Sequence, residues 1–390
     1  MKKIGCALAV LALLALLAAG GAAWWGWQEI HTPYQGYLGD ARQLEVEIGS
    51  AGTAILDELE REGVIASALL ARLYLYQQGD PPLQAGEYQF EGALTVPEVL
   101  GKLIRGEVVT HEVTLVEGLT LGETARALAE GGFGTEERFL ELMRDPAPIA
   151  DLDPDAPDLE GYLFPDTYRF TRRTPEEEIV AALVGNFRER YESTLEPLIE
   201  QTYGTGDAAA GEAPDLEPGD DDEPPTLREI VTLASIVEKE ARIPDERPMI
   251  AGVYQNRLDR GIGLYADPTV IYAFKKLGTW DGNLTRADLQ VDSPYNTYRY
   301  PGLPPGPIAS PGLASLEAAA APADIPYFYF VSRNDGTHVF AETLAEHNRN
   351  VERWQRQYWR ERWARERREA AAGDDPRDGT EGPAPDAGDD

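Results

Sequence analysis

The chain has one cysteine in 390 residues, and that residue, Cys6, falls inside the N-terminal apolar run. A disulfide framework and a thiol nucleophile are both excluded from the rest of the chain. Cys6 lies too early in the run for a lipid-modification site, so a cysteine buried in the membrane is expected. Histidine is scarce as well. His31, His111, His338 and His347 show no HExxH or comparable ligand spacing, which disfavours a zinc amidase or deacetylase. His338 and His347 read as fold or loop residues. No Gly-x-Ser-x-Gly elbow occurs and Ser235 falls in mid-helix, against a serine hydrolase. Lysine is rare: arginine supplies most of the 35 basic residues, against 68 acidic ones, for a formal net charge of −33. Such a surface repels a polyanion, which excludes nucleic acid as a partner.

Ile4 to Ala23 forms a long apolar run, preceded by Lys2 and Lys3 and followed by Trp24, Trp25 and Trp27. As a helix it spans ~30 Å, the thickness of a bilayer core. The leading lysines place the N-terminus in the cytoplasm, and the tryptophans suit the far interface. Gly21-Ala22-Ala23 would suit a signal peptidase. The run is long for a signal core, however, and the tryptophan belt would then have no use. A single-pass anchor is expected.

The remaining length suffices for two folded units. Leu44, Val46 and Ile48 alternate as a strand does, before a turn at Gly49-Ser50-Ala51-Gly52. Ile55, Leu56 and Leu59, then Leu69, Leu70 and Leu73, suit two helices parted near Gly63. Gly86 to Phe90 reads as a returning strand and Val96 to Ile104 as a further helix. A second pass of similar form opens at Val113, a loose internal repeat of a small α+β unit. Residues 205–225 are Gly, Ala, Pro, Asp and Glu, and the tail 371–390 has a similar composition; neither can bury itself. Before the tail, Glu346 to Ala370 reads as an Arg-, Glu- and Trp-rich helix docked on its own domain. Trp359 and Trp363 share one face of it, as do Trp354 and Tyr358.

Thr226-Leu227-Arg228-Glu229 is a capping box that opens a helix running to Ala241. Its apolar positions 230, 231, 233, 234, 236, 237 and 241 cover a broad face, and Lys239 points away from it. Glu238 and Glu240 flank the face on opposite sides, each ~80° from its centre. A carboxyl buried there would be held neutral and could donate a proton. Periodicity does not choose between the two.

A second helix, Arg247 to Arg260, is followed by stiff loops carrying Tyr and Asn, residues suited to sugars. The order of motifs is specific. Leu159 to Tyr168 (LEGYLFPDTY) is followed by Ala234 to Glu240 (ASIVEKE), Val253 to Leu258 (VYQNRL) and Asp267 to Tyr272 (DPTVIY). Tyr295 to Tyr298 (YNTY), Gly302 to Gly306 (GLPPG), Tyr327 to Val331 (YFYFV), Gly336 to Phe340 (GTHVF) and Glu346-His347-Asn348 then complete the series. In this order the chain resembles the endolytic murein transglycosylase family MltG (YceG-like), over roughly residues 44 to 355. Tyr265 departs from the pattern, standing where many relatives have Gln.

The resemblance implies an α+β protein: a cytoplasmic start and transmembrane anchor (1–27), a module similar to glycan-binding LysM units (40–110), a mixed α+β catalytic domain (111–370) with an acidic insertion loop (205–225), and a disordered acidic tail (371–390). The module could equally be a spacer that holds the enzyme at a fixed height. The domain beyond the anchor would be extracytoplasmic. The implied activity is lytic transglycosylation of nascent peptidoglycan strands, limiting strand length, with peptidoglycan synthases as neighbours. The family's acid is the second glutamate of the triplet, which maps to Glu240. That residue would protonate the oxygen between N-acetylmuramic acid and N-acetylglucosamine, and the muramic C6 hydroxyl would close a 1,6-anhydro ring. An intramolecular nucleophile has high effective molarity, so one acid/base suffices, with no metal or cofactor. Asn256, Asp267, Tyr295 and Asn296 are the candidates for orienting sugar. Two rivals stand: a non-catalytic glycan-binding scaffold, and a hydrolase with Asp267 as the second carboxylate.

Overall fold

The computed structural model describes residues 2–204 and 224–373, without the side chains of residues 2–9 and 368–373. The acidic loop expected at 205–225 lies almost wholly outside the described residues. So do the side chain of Cys6 and all but the first three residues of the expected tail at 371–390. Contacts divide the chain into two units, one formed by 1–113, 128–134 and 167–179, the other by 114–127, 135–166 and 180–390.

The first unit opens with α1 (Lys2–His31), a helix long and apolar enough to cross a membrane, with Trp24, Trp25 and Trp27 exposed near its end. Then come β1 (Ala41–Val46), α2 (Gly52–Arg61), α3 (Ala68–Gln77), β2 (Gly86–Glu91) and α4 (Val96–Arg105), the predicted order. β1 and β2 pair antiparallel, with Leu44 opposite Tyr88 and Arg42 opposite Phe90. The alternation buries Leu44, Val46, Tyr88 and Phe90 against Leu56, Leu59, Val99, Leu100 and Leu103. Thr95 and Glu98 form a capping box at the start of α4, and Gly106 closes it in the left-handed conformation.

Two expectations about this core are corrected. Ile48 is exposed, because β1 ends at Val46 and the chain turns at once. In α3, Leu69 and Leu73 are exposed while Ala68, Ala71 and Leu75 are buried. Small alanines let that helix approach its neighbours closely, which turns the larger leucines outward.

β3 (His111–Thr114), α5 (Leu121–Glu130), α6 (Glu136–Met143) and β4 (Thr167–Phe170) repeat the strand–helix–helix–strand order, and β3 pairs with β4. α7 (Glu176–Arg190) and α8 (Glu196–Tyr203) follow. The second unit is centred on α9 (Leu227–Glu240), packed against α10 (Arg247–Leu258), α11 (Asp267–Leu277) and α12 (Leu313–Ala320). α9 and α10 end slightly earlier than expected. β5 (Tyr329–Ser332) and β6 (His338–Ala341) form an antiparallel hairpin beside α13 (Leu344–Val351). His338 Nδ1 lies 2.7 Å from Glu246 Oε2, tying β6 to the start of α10. His347 packs tilted against Tyr329, ring centroids 5.1 Å apart. Both histidines thus sit in fold contacts.

A π-helical turn (Glu352–Gln357) leads into α14 (Tyr358–Gly373). The turn docks on its own domain: Asn334 Nδ2 donates to the Trp354 carbonyl, and Gln355 Nε2 donates to that of Ser332. Beyond it, Trp359 packs beside Trp363, and Trp363 is exposed.

Candidate active site

α9 starts as its sequence requires. Thr226 Oγ1 accepts from Glu229 N, and the Glu229 carboxylate accepts from Thr226 N at 2.8 Å. Residues Ile230 to Val237 are all buried, which fixes the helix and sends the two glutamates of its last turn to opposite flanks.

Their surroundings differ completely. Glu238 Oε1 pairs with Arg247 at 3.3 Å, while Oε2 accepts from Ser315 Oγ at 2.7 Å and Gly312 N at 3.1 Å. Arg247 is itself buried and donates to Ser315 Oγ at 2.9 Å. Both oxygens of Glu238 are therefore committed to holding α12 and α10 on α9. Lys239 Nζ donates to the Gly118 carbonyl at 3.0 Å.

Glu240, the last residue of α9, has no cation in salt-bridge contact among the described residues. The Tyr254 hydroxyl of α10 lies near enough to its carboxylate to favour the charged form. Glu240 sits deep among protein atoms yet keeps part of its surface open to solvent. Burial, and then the negative charge of Asp267, push its carboxyl up to about 7, while the Tyr254 hydroxyl and the positive Arg257 pull the other way. Such a group exchanges its proton near neutral pH.

Arg257 is a buried cation. Nε donates to the Phe328 carbonyl at 2.7 Å and Nη1 to that of Leu264 at 2.6 Å. Asp267 is the first residue of α11. It accepts a 2.6 Å hydrogen bond from the Tyr298 hydroxyl. Thr297 fixes that loop to α11, its Oγ1 accepting from Ala266 N at 3.0 Å and lying 2.9 Å from Thr269 Oγ1. Glu240, Tyr254, Arg257, Asp267 and Tyr298 thus form one group.

A second group lies further along α11. Glu160, of the LEGYLFPDTY motif, is buried and accepts from Leu121 N at 2.9 Å, with the Tyr272 hydroxyl 3.1 Å from its other oxygen. Burial raises its carboxyl to about 8. Tyr272 packs on Tyr295 with ring centroids 4.9 Å apart, and Lys276 lies over both rings. The Pro-Gly loop reaches α9 one turn before the glutamates, with Ile308 N donating to Ser235 Oγ at 3.0 Å.

Of the residues named from sequence, Glu240 and Asp267 come together. Tyr295 belongs to the second group. Asn256 Nδ2 donates to the Ile325 and Tyr327 carbonyls at 2.7 and 2.9 Å, so that amide anchors the chain entering β5. Asn296 is fully buried; its amide donates to Leu289 and Val291 and accepts from Tyr298 N, which shapes the loop that carries Tyr298. Both asparagines position the site from behind.

The sequence pattern of the YceG-like family matches residues 44–353. The chain belongs to that family. The endolytic murein transglycosylase of Bacillus subtilis (strain 168) is 31% identical over 330 residues, covering 80% of this chain and 84% of that protein. The protein of the same name from Streptococcus pneumoniae serotype 2 (strain D39 / NCTC 7466) is 29% identical over 379 residues, 88% of this chain and 64% of that one. A crystal structure of a YceG-like protein from Listeria monocytogenes matches with a TM-score of 0.51 at 31% identity, covering 80% of this chain and 98% of that chain.

Both residue groups lie inside the segment matched by the YceG-like pattern. Tyr254, Arg257, Tyr298 and Glu160 were not singled out as site residues from sequence. A signal existed for two of them. Tyr254 and Arg257 are three residues apart on one helix, and an arginine on a face that is otherwise buried needs partners.

Proposed function

We propose that this YceG-like chain is an endolytic lytic transglycosylase of peptidoglycan, with Glu240 as its single acid and base. The reading rests on one observation: Glu240 is the glutamate of the triplet left without structural duties, and its carboxyl is poised near neutrality. Neutral Glu240 protonates the glycosidic oxygen between N-acetylmuramic acid and N-acetylglucosamine, and that bond breaks. The muramic C6 hydroxyl attacks the anomeric carbon and passes its proton to the new carboxylate, which restores the acid. The product is a 1,6-anhydro end, and repeated cuts would limit strand length. Between the two proton transfers the carboxylate is charged, and the Tyr254 hydroxyl and the Arg257 charge stabilise it there. Burial, with the charge of Asp267 adding to it, favours the protonated form of the resting acid.

α1 would anchor the enzyme with its N-terminus in the cytoplasm and the rest outside the membrane. The βααβ module of β1, α2, α3 and β2 has the element order of a LysM-like unit, and we assign it a role in holding strand or setting height.

The decisive experiment digests purified peptidoglycan with the full chain and with Glu240→Gln. Wild type releases fragments whose ends are one water lighter than reducing ends, and the variant binds strands without cutting them. Cutting by the variant would remove Glu240 from the mechanism. Reducing ends from the wild type would instead favour hydrolysis, with Asp267 as the second carboxylate.

A further inference from the structure

Among the described residues, three non-glycine residues adopt positive φ: Asp80, Asn334 and Tyr265, at +49°. Short polar side chains tolerate that region because they bond locally; a tyrosine gains nothing there and pays in steric crowding. Backbone strain held at one bulky residue is a reason to ask what that residue does.

The strain sets the direction of a ring. Leu264 and Ala266 on either side are buried, while Tyr265 between them is 51% exposed. Its ring lies over the bare backbone of Gly263: a Cβ built there would come within 3.0 Å of the ring's Cε1 and Cζ, and within 3.3 Å of the Thr297 carbonyl oxygen. φ at Gly263 is not positive, so the position needs glycine for room rather than for backbone freedom. The ring also tilts against Tyr298, centroids 5.5 Å apart, and Tyr298 is the residue bonded to Asp267. Tyr265 is close enough to Arg257 to act on its charge, as Tyr298 is to Glu240. An exposed aromatic face therefore stands against Tyr298, the phenol that bonds Asp267 and acts on Glu240.

We infer that Tyr265 is a stacking platform for a pyranose ring of the bound strand, beside the bond that Glu240 protonates. The apolar C–H face of the sugar lies on the ring, and its hydroxyls reach Asp267 and Tyr298. The inference rests on the glycan-cleaving reading above and adds a substrate-contact residue to it.

The test uses full-length protein in nanodiscs, with peptidoglycan strands as substrate, and compares Tyr265→Phe, Tyr265→Ala, Tyr265→Gly and Gly263→Ala. Phe keeps the face and holds KM within about twofold of wild type. Ala and Gly raise KM by roughly tenfold with kcat little changed, the loss expected for one stacking contact. Gly263→Ala displaces the ring and raises KM in the same direction. The glycine variant carries the second readout: φ of +49° suits glycine, so Tyr265→Gly melts no lower than wild type while its KM rises. A purely structural tyrosine would instead lose stability in Tyr265→Gly and leave KM alone. That outcome, or an unchanged KM in both Ala and Gly, overturns the inference. Strand binding to Glu240→Gln, with and without Tyr265→Gly, separates the two claims. If wild type binds but never cleaves, and Tyr265→Gly weakens that binding tenfold, the catalytic reading fails and the platform stands. If wild type cleaves and Tyr265→Gly binds equally well, the platform alone fails.

Discussion

Replacing Asp267 with Asn asks how Glu240 holds its proton. The amide keeps an oxygen for the Tyr298 hydroxyl and removes only the charge. In the wild type the protonated acid is the active form, so kcat/KM falls as pH rises through about 7. An unperturbed carboxyl at 4.5 would be protonated in roughly one molecule in 300 at pH 7; a carboxyl at about 7 is protonated in half. Burial is the larger cause of that rise and Asp267 the smaller, so burial still holds the acid up when the charge is gone. The alkaline limb of Asp267→Asn should move to lower pH by no more than ~1 pH unit. Near pH 8 the variant then loses up to about tenfold, and near pH 5 it matches wild type. Initial rates of anhydro-end release, followed by liquid chromatography from pH 4.5 to 9, give the limb directly. A limb that stays put or moves upward refutes the electrostatic argument. A loss equal at every pH would mean that Asp267 acts on the strand directly, and a split of that loss into KM and kcat would tell a sugar contact from a part in the chemistry.

The other perturbations separate structural from catalytic carboxyls. Glu238→Ala leaves buried Arg247 with only the more distant Glu117 carboxylate at 3.7 Å and leaves Ser315 Oγ and Gly312 N short of their acceptor, so it should lower unfolding free energy by ~2 kcal/mol in a denaturant titration. Its folded fraction should still cut strands at the wild-type rate. Glu160→Gln mimics the neutral acid. Because the folded carboxyl lies near 8 and the unfolded near 4.5, wild-type stability falls as pH rises between those values and is level above them. The Gln variant lacks that fall and should gain on wild type by up to about 5 kcal/mol by pH 9 while differing little at pH 4.5. Parallel stability–pH curves for the two proteins would show that Glu160 is not held neutral.

Much of the molecule is written locally. The Thr226–Glu229 box starts α9, and the apolar period of α9 buries the face it marks. The alternation of Leu44 with Val46 and the return at Gly86 to Phe90 give the paired strands. Such features depend on neighbours within a turn of helix or a few residues of strand, so the chain shows them without its tertiary contacts. The exposed Leu69 and Leu73 mark where that logic stops. α3 offered two apolar faces, and its neighbours took the one lined with alanine.

The site divides along the same line. By sequence, Glu238 and Glu240 are equivalent margins of one helix, and the acid, cation and tyrosine partners of each are unreadable from the local pattern. Tertiary packing brings Gly312 and Ser315 to Glu238 from more than 70 residues away. Packing likewise brings Tyr254 and Asp267 to Glu240 from α10 and α11. A carboxyl's proton affinity depends on the charges and solvent within a few ångströms of it, and only folding decides what those are. The residues of the chain set out the helix and its two glutamates; the packed structure made one a brace and left the other free to titrate.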